Sequence, residues 1–568
     1  MCKNDSDFTT KTLVMKSIGS VLFVIFILFS GFLAAQDLNK AKWLIQEEQF
    51  LTAKAYMIGV QKTHPQDAKV QYFLGLTYLK NNQPDSAEIA FRQGISLNPN
   101  EPLNYAGLGG IELGKKNKEE SFRNFEKVRK LSSKSIIPLL EVVNACMSVE
   151  AMDIVNADRF LSLATDINSK DPLLHLASGN YFLQLKKTGD AANAFDRALF
   201  YDPTCYIAKV KIGKIFTDAK NYNLAVKALT DAVKIDSTGI LVYKYLGDLY
   251  YIYGQYSKAK WSYQKYLEHG EITPFIEERY SFILFFNKNY EEAERSLDKL
   301  ISENQNDPVH LRLKAYIDYE TGKYDTGLQF MKKFFSVQDT GKILITDHIY
   351  YGRLLIKNQQ DSLGLTHLIK ATEMDTTKTD AYEEIAKQFS KMKKHEPAIN
   401  WFSRLLKTKP ESIENVHYQI GREFYMWAED TTIMMDSIAR VGIYNKADSS
   451  FCKLIELKPD SYLGYLFRAR TRARLDPETI TGHAKSDYEK TLSILEPGDK
   501  VKNKKYLMEC YRYLAFYYYM LNEKGIQQTD PTAPTNIENS LYNWRKILEF
   551  EPQDVQALTA IDNLEKTK

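Results

Sequence analysis

The chain has 568 residues and a net charge of +3, with 75 lysines and arginines against 72 aspartates and glutamates. A single hydrophobic core stops growing at about 250–300 residues, so a chain of this length either divides into several domains or repeats one small unit. The balanced charge excludes the basic footprint of a nucleic-acid-binding protein, and we expect no nucleic-acid partner. With 17 prolines and 27 glycines, the composition also argues against long disordered linkers.

The first 35 residues have the pattern of an export signal. Lys16 precedes an apolar run over residues 21–29, and the small residues Ala34 and Ala35 come just before the polar Gln36. This order of segments is typical of a secretory signal peptide and its cleavage site. We therefore expect an exported protein of the periplasm or cell envelope.

An uncleaved membrane anchor is the alternative interpretation of the same segment. Residues 18–35 are just long enough to cross a bilayer and would tether the chain to the inner membrane, facing the periplasm. No cysteine follows the apolar run, so a lipid-anchored protein is not expected. The start of translation is open between Met1 and Met15, because the acidic residues before Met15 suit a signal peptide poorly.

The remainder of the chain repeats with a period of 34 residues. One column holds small residues, a second holds large apolar residues four positions later, and a third holds glycines 12 positions before the small residue. The small column includes Ala191, Ala225, Ala259 and Ala293; the large column includes Phe195, Leu229, Tyr263 and Leu297; the glycine column includes Gly75, Gly179, Gly213 and Gly247. A glycine in one helix and an alanine in the next are expected where two helices cross closely, and we interpret these residues as structural repeat positions.

These columns resemble the tetratricopeptide repeat family, whose pattern is L-G-x-x-Y, then A-x-x-x-F, then P. One stretch matches this pattern at Leu74, Gly75, Tyr78, Ala87, Phe91 and Pro99. The resemblance implies an all-α fold, a right-handed α-solenoid superhelix of about 14 helix-turn-helix units.

We divide the chain into three parts. Residues 1–35 form the signal or anchor, residues 36–412 form a regular solenoid, and residues 413–568 form degenerate repeats with insertions at 430–440 and 521–536. In the last part, Ala484 with Tyr488 and Ser540 with Trp544 keep the spacing of a second helix. Residues 554–568 are predicted to form the helix that caps the array, because a solenoid must cover its last apolar face.

The sequence predicts no catalytic site, no metal site and no cofactor. Residues 109–115 have the spacing of a phosphate-binding loop, but Lys116 stands where a magnesium-binding Ser or Thr is needed and no strand precedes them. There is no G-x-S-x-G nucleophile motif, and His348 and His367 are interpreted as a packed pair because no third ligand is evident.

Cysteines and clustered arginines are also interpreted as structural. The spacings of Cys146 and Cys205, and of Cys452 and Cys510, do not correspond to one repeat, so free thiols rather than disulfides are expected. The alternating arginines of residues 468–474 point around a helix in different directions, and we expect them to form a solvated face.

The resemblance to the tetratricopeptide family implies that first helices line a groove that binds a partner protein or peptide. Carried over by register, the groove positions of the central repeats are aromatic and form a predicted strip: Tyr251, Phe282, Phe285, Phe286, Tyr316 and Tyr319. Each of these rings could instead pack against a neighbouring helix. The family's carboxylate clamp is not expected, since its positions hold Leu176, Asn180, Lys211 and Leu241.

The predicted function is a non-catalytic scaffold or adaptor of the cell envelope that holds other proteins or peptides. A glycan- or ligand-binding helical protein of the outer membrane is the alternative, although its lipid-attachment cysteine and long insertions are missing here. A third hypothesis, an enzyme within residues 414–568, is not supported by any motif.

Overall fold

The protein is built of paired α-helices. The computed structural model describes residues 36–132, 134–148, 152–408, 413–527 and 532–566, so the predicted signal or anchor lies outside the described residues. Within those ranges there are 29 α-helices, a single 3₁₀ turn and no strand. None of these helices is long and apolar enough to span a membrane. The chain divides into two compact units, Met1–Gln305 and Asn306–Lys568.

The first unit contains eight helical hairpins in its described part. Their helices are α1 (36–46), α2 (Phe50–Thr63), α3 (Ala68–Lys80), α4 (Pro84–Leu97), α5 (Pro102–Gly114), α6 (Lys118–Leu131), α7 (Ile137–Met147), α8 (Ile154–Ile167), α9 (Pro172–Gln184), α10 (Thr188–Tyr201), α11 (Tyr206–Asp218), α12 (Tyr222–Ile235), α13 (Leu241–Ile252), α14 (Tyr256–Leu267), α15 (Pro274–Phe286) and α16 (Tyr290–Glu303).

The second unit contains six hairpins and a final helix in its described part. Its helices are α17 (Pro308–Glu320), α18 (Tyr324–Val337), α19 (Ile345–Lys357), α20 (Asp361–Met374), α21 (Thr379–Lys391), α22 (His395–Thr408), α23 (Ile413–Glu429), α24 (Ser437–Leu457), α25 (Tyr462–Leu475), α26 (Lys485–Leu495), α27 (Lys500–Glu523), α28 (Asn536–Phe550) and α29 (Val555–Lys566). The predicted all-α fold of about 14 helix-turn-helix units is thereby confirmed.

The glycine column marks the contact between the two helices of a hairpin. A Cβ atom added to Gly179 would lie 2.3 Å from the ring of Phe195, and one added to Gly247 would lie 2.3 Å from the ring of Tyr263. The contacts of Gly75 with Phe91 and of Gly213 with Leu229 are similar. The large side chain of the second helix therefore fills the space that the missing glycine side chain leaves, as the register predicts.

The small column is buried throughout. Ala191, Ala225, Ala259 and Ala293 are completely inaccessible to solvent. Where serine replaces alanine in this column, its hydroxyl donates a hydrogen bond across the hairpin: Ser121 Oγ to the Gly109 carbonyl and Ser540 Oγ to the Ala515 carbonyl, each at 2.8 Å. A buried hydroxyl must find such an acceptor, so a carbonyl of the first helix supplies it.

The turn inside most hairpins contains one residue in the left-handed conformation. Lys186, Lys220, Gly254, Lys288 and Gly322 follow one another at 34-residue intervals, and each has a φ between +56° and +80°. Only two of these five residues are glycine, so the repeat imposes this backbone conformation on ordinary side chains as well.

The degenerate C-terminal hairpins keep the packing of the others. Ala484, Tyr488, Ser540 and Trp544 are all buried, and α29 lies within the range predicted for the capping helix. Only residues 430–436 of the predicted insertion at 430–440 form a loop, because α24 begins at Ser437. The predicted loop at 521–536 begins after α27 ends at Glu523, and its residues 528–531 lie outside the described part.

The prediction that the arginines of α25 form a solvated face was wrong for Arg468, Arg470 and Arg472, whose side chains are largely buried, whereas the Arg474 side chain is 57% exposed. Each guanidinium forms an ion pair with a neighbouring helix: Arg468 with Asp487 at 2.6 Å, Arg470 with Glu509 at 2.6 Å, Arg472 with Asp448 at 2.7 Å and with Asp487 at 3.1 Å, and Arg474 with Glu429 at 3.0 Å. Because helix α25 has packed neighbours on several sides, side chains that point around it reach α23, α24, α26 and α27. Two of the pairs, Arg468–Asp487 and Arg470–Glu509, are bidentate, the geometry in which arginine binds carboxylate most specifically.

The cysteines and the segment with phosphate-loop spacing are both structural. Cys146, Cys205, Cys452 and Cys510 are free thiols. Residues 109–114 of the phosphate-loop spacing lie inside helix α5. Gly109 there faces Phe125, which leaves no room for a phosphate group.

His348 and His367 pack as a pair. Their rings stack with centroids 5.1 Å apart, and the two Nδ1 atoms are 2.9 Å apart. Phe335 and Tyr351 also contact His367, with ring centroids at 5.5 Å and 4.3 Å. Burial lowers the pKa of His348 to about 4 and also lowers the pKa of His367, so the fold favours the neutral rings.

We predict that Ala225→Leu lowers the free energy of unfolding by about 1–3 kcal/mol, because the larger side chain overpacks a fully buried contact. Denaturant unfolding monitored by circular dichroism measures the change. The matched control is Lys227→Leu, which adds a leucine to an exposed position of the same helix. Equal stability of the Ala225 variant and the parent protein would show that the helix contact lies elsewhere.

We also predict that the histidine pair makes the stability of its hairpin depend on pH. The pKa values are lower in the folded state than the ordinary value near 6.5, so the unfolded state binds more protons between about pH 6.5 and pH 4. Stability is therefore complete above that window and falls as pH falls through it. Thermal unfolding of the parent should show this loss, whereas His348→Phe/His367→Phe should show a smaller one; parallel pH curves would contradict the assignment.

Candidate partner-binding surfaces

In the first unit, the predicted groove residues differ in their access to solvent. Phe285 is buried at 6% exposure, and its ring contacts Phe286 and Tyr290. Phe286 is 39% exposed, and Tyr251 and Phe282 are half-buried. In this unit the predicted strip is therefore available to a partner through Phe286 and, in part, through Tyr251 and Phe282.

Phe286 lies at the centre of an aromatic cluster in this unit. Its ring stacks on Tyr256 at 5.0 Å between centroids and lies 6.0 Å from Tyr251. The guanidinium of Arg279 sits 4.9 Å from the centre of the Tyr251 ring, in the range of a cation–π contact. The cluster joins the end of α13, the start of α14 and the end of α15, so the turn inside one hairpin and the first helix of the next supply its rings.

In the second unit, Tyr316 is a structural residue. It is 4% exposed, and its hydroxyl donates a hydrogen bond of 2.6 Å to the carboxylate of Asp347. Burial and the neighbouring carboxylate raise the pKa of Tyr316 well above its ordinary value. Burial also raises the pKa of Asp347, although Tyr316 and Arg312 act in the opposite direction. Tyr316 therefore ties α17 to α19 and is not accessible to a partner.

Tyr319 is half-buried and belongs to a second aromatic cluster. Its ring lies 5.4 Å from Tyr350 and 5.7 Å from Tyr324, and Tyr316 stacks on Tyr350 at 4.1 Å. Arg353 lies 5.9 Å from the centre of the Tyr350 ring and pairs with Glu384 of the next first helix. The predicted aromatic positions thus occur in two clusters, one in each unit, each with buried and accessible members.

Sequence reasoning missed one polar surface in the first unit. The turn after α1 brings Glu47 and Glu48 to the start of α13, almost 200 positions later in the chain. Lys211 and Leu241, which hold family clamp positions, are both involved: the Leu241 N–H donates to Glu47, and Lys211 acts electrostatically on Glu48. No repeat column could indicate this contact, because it joins hairpins that are distant in sequence.

Comparison with known proteins agrees with the repeat pattern. Two family models described as tetratricopeptide repeat match residues 68–101 and 176–240. Among solved structures, the C-terminal part of a TPR repeat-containing protein from Cytophaga hutchinsonii is 32% identical, covering 50% of this chain and 99% of that chain, with a TM-score of 0.41.

Two more distant structures are also similar. Pseudomonas aeruginosa pilF is 13% identical, covering 44% of this chain and 96% of that chain, with a TM-score of 0.29. A chain from the APC/C hetero-tetramer Cut9–Hcn1 is 10% identical, covering 77% of this chain and 95% of that chain, with a TM-score of 0.31. No curated protein sequence matches the chain.

The family assignment rests on independent observations that agree. The matched models lie on the hairpin α3–α4 and on the hairpins α9–α10 and α11–α12, and the relative from Cytophaga hutchinsonii is matched over nearly its whole length. The same glycine, alanine and large apolar columns shape the helix contacts of the structure. The chain belongs to the tetratricopeptide repeat family.

Proposed function

We propose that this protein is a non-catalytic scaffold of the cell envelope, which binds a partner protein or peptide on the surface formed by its first helices. The repeats of its family generally mediate protein–protein interactions. Helical hairpins account for nearly all of the described chain, so the paired helices supply most of the surface that a partner could contact. The accessible aromatic cluster around Phe286 is the observation that carries the proposal.

Aromatic and arginine side chains concentrate binding energy in protein interfaces. The Phe286 cluster offers three rings and the cation of Arg279 within one small area, and the rings are already held by stacking on one another. Side chains that are fixed before binding lose little conformational entropy on association. A partner segment with apolar side chains would therefore gain contact area here at low entropic cost.

The envelope location is proposed from the leader pattern of residues 1–35 alone. Two of the four thiols, Cys146 and Cys510, are suited to an oxidising compartment, since both are buried and burial raises the pKa of both. A thiol that stays protonated and inaccessible reacts slowly with oxidants.

We predict that a photo-crosslinking amino acid in place of Phe286 captures a defined partner protein in cells. Mass spectrometry of the crosslinked product identifies it. The matched control places the same probe at Phe200, which is 77% exposed on the second helix α10 and lies outside the cluster. In addition, Phe286→Ala should reduce recovery of the partner by about tenfold, as for a typical anchoring aromatic. Equal capture from both positions, or none from Phe286, would contradict the proposal.

A separate prediction concerns export. When the full gene is expressed in a bacterial host, the mature protein should begin near Gln36, because cleavage follows the small residues Ala34 and Ala35. N-terminal sequencing of the purified protein measures this. Recovery of the protein in the membrane fraction with residues 18–35 still present would favour the anchor. Recovery of the uncleaved protein in the cytoplasm would overturn the envelope location.

A further inference from the structure

The turn between α1 and α2 places two carboxylates on the start of α13. Glu47 Oε2 accepts hydrogen bonds from the backbone N–H groups of Ile240 at 2.9 Å and Leu241 at 2.7 Å. Glu48 forms an ion pair with Lys244 at 2.8 Å and accepts a hydrogen bond of 3.0 Å from the Tyr245 hydroxyl. Four donors of α13 and the residue before it are therefore satisfied by two adjacent acids of the first hairpin.

The contact is reciprocal. Glu271, in the loop between α14 and α15, accepts hydrogen bonds from the N–H groups of Leu51 at 2.8 Å and Thr52 at 3.3 Å, at the start of α2. We call this set of contacts made by Glu47, Glu48 and Glu271 the clasp. Helix N-termini attract carboxylates through their free N–H groups and the helix dipole.

Both helices of the clasp lack a cap of their own. The residues that precede α2 and α13, Gln49 and Ile240, make no side-chain capping hydrogen bond. Among the other first helices of the unit, α3, α5, α9 and α15 are capped locally by Asp67, Glu101, Asp171 and Thr273, whereas α7 and α11 also have no side-chain cap. The start of α13 is thus open to a carboxylate from elsewhere, and in this structure Glu47 supplies it.

The clasp is made of polar groups rather than shared core. The core cluster that contains Met57 and Val60 of α2 has no member from α11 to α15 among its described residues. Glu47 is fully buried, yet its Oε1 atom has no hydrogen-bond partner. Burial raises the pKa of Glu47 to about 6, because the loss of solvation outweighs the two backbone hydrogen bonds. Holding an ionised carboxylate at this buried position is therefore costly.

Positive charge surrounds the second acid. Burial opposes ionisation of Glu48, but Lys244, the Tyr245 hydroxyl and Lys211 together hold its pKa below the ordinary value. Burial lowers the pKa of Lys211, which lies near the carboxylate of Glu48 and the cations Lys214, Lys80 and Lys244. If Glu48 leaves, Lys244 loses its paired carboxylate and can attract another anion, although Lys214 remains paired with Asp218 and Asp248 lies near Lys244.

We propose that the start of α13, together with Lys211, Lys244 and Tyr245, recognises two adjacent carboxylates in an acidic segment of a partner protein, and that the α1–α2 turn is a built-in occupant which this segment displaces. The inference rests on the proposed scaffold function and names the chemistry of the partner. Glu47 and Glu48 show how the acids are bound: one caps the helix and the other pairs with Lys244.

The test uses the full chain with Glu47→Gln/Glu48→Gln, and Glu119→Gln/Glu120→Gln as the matched control on α6 of the same unit. Hydrogen–deuterium exchange of segments 240–246 and 50–56 reports whether the clasp is closed. We expect exchange in these segments to rise by about tenfold or more in the first variant, the size expected for losing a charged hydrogen bond, with no change in the control. This readout needs no partner, so it can fail or succeed independently of the scaffold proposal.

Binding is measured with a fluorescent peptide that copies residues 44–51, Leu-Ile-Gln-Glu-Glu-Gln-Phe-Leu. It should bind the Glu47/Glu48 variant about tenfold more tightly than the parent, because its site is vacated. A peptide with both glutamates replaced by glutamine should not bind, and adding Lys244→Gln to the variant should weaken binding of the acidic peptide. An open clasp that does not bind the peptide would overturn the assignment of an acidic partner.

A measurement on the unaltered protein covers the case in which the variant fails to fold. Raising the salt concentration from about 0.05 M to about 0.5 M screens the Lys244–Glu48 pair and should increase exchange at 240–246 relative to α5. Unchanged exchange in both experiments would overturn the clasp as a reversible contact. Dimerisation of the variant in place of peptide binding would assign the surface to a second copy of the chain and overturn the partner class.

Discussion

The contact between a glycine of one helix and a large side chain of the next is the interaction on which each hairpin depends. Gly179 against Phe195 and Gly247 against Tyr263 leave no space for even one additional carbon atom. This contact sets how closely the two helices of a hairpin approach, and the fully buried alanine four residues before the ring lets the second helix come equally near. Because each hairpin then stacks on the next, the same local geometry is transmitted along each unit.

The fold could be predicted from the sequence because its decisive contacts are local and periodic. Glycine, alanine and aromatic columns at one period describe contacts between residues fewer than 34 positions apart, so one chain is enough to reveal them. The ion pairs of α25 could not be predicted in the same way. Arg470 meets Glu509 and Arg474 meets Glu429 across hairpins of unequal length, and charge spacing on one helix does not identify acids on four others. The contact of Glu47 with Leu241 is still more distant and leaves no periodic trace.

The aromatic positions predicted for the candidate site differ in burial, and their neighbours explain the difference. Register places Phe285 and Phe286 side by side on α15, but neighbouring positions on a helix face different directions. Phe285 turns toward the packed side, whereas Phe286 stays accessible. Tyr316 was expected to face a partner, yet Asp347 on the next first helix captures its hydroxyl. A repeat pattern identifies which helix lines a surface, but it does not identify which aromatic ring a neighbouring carboxylate has already engaged.

The left-handed turn residues have a consequence for the evolution of the array. Lys186, Lys220 and Lys288 hold a conformation that favours glycine or asparagine, at a cost of about 1 kcal/mol per residue. These turns therefore do not carry the residue that would be least strained there, and replacing each lysine with glycine or asparagine could stabilise its hairpin. Since hairpins contribute almost additively to a linear stack, exchanging several such lysines would make the protein more heat-resistant without altering any surface that contacts a partner through the first helices.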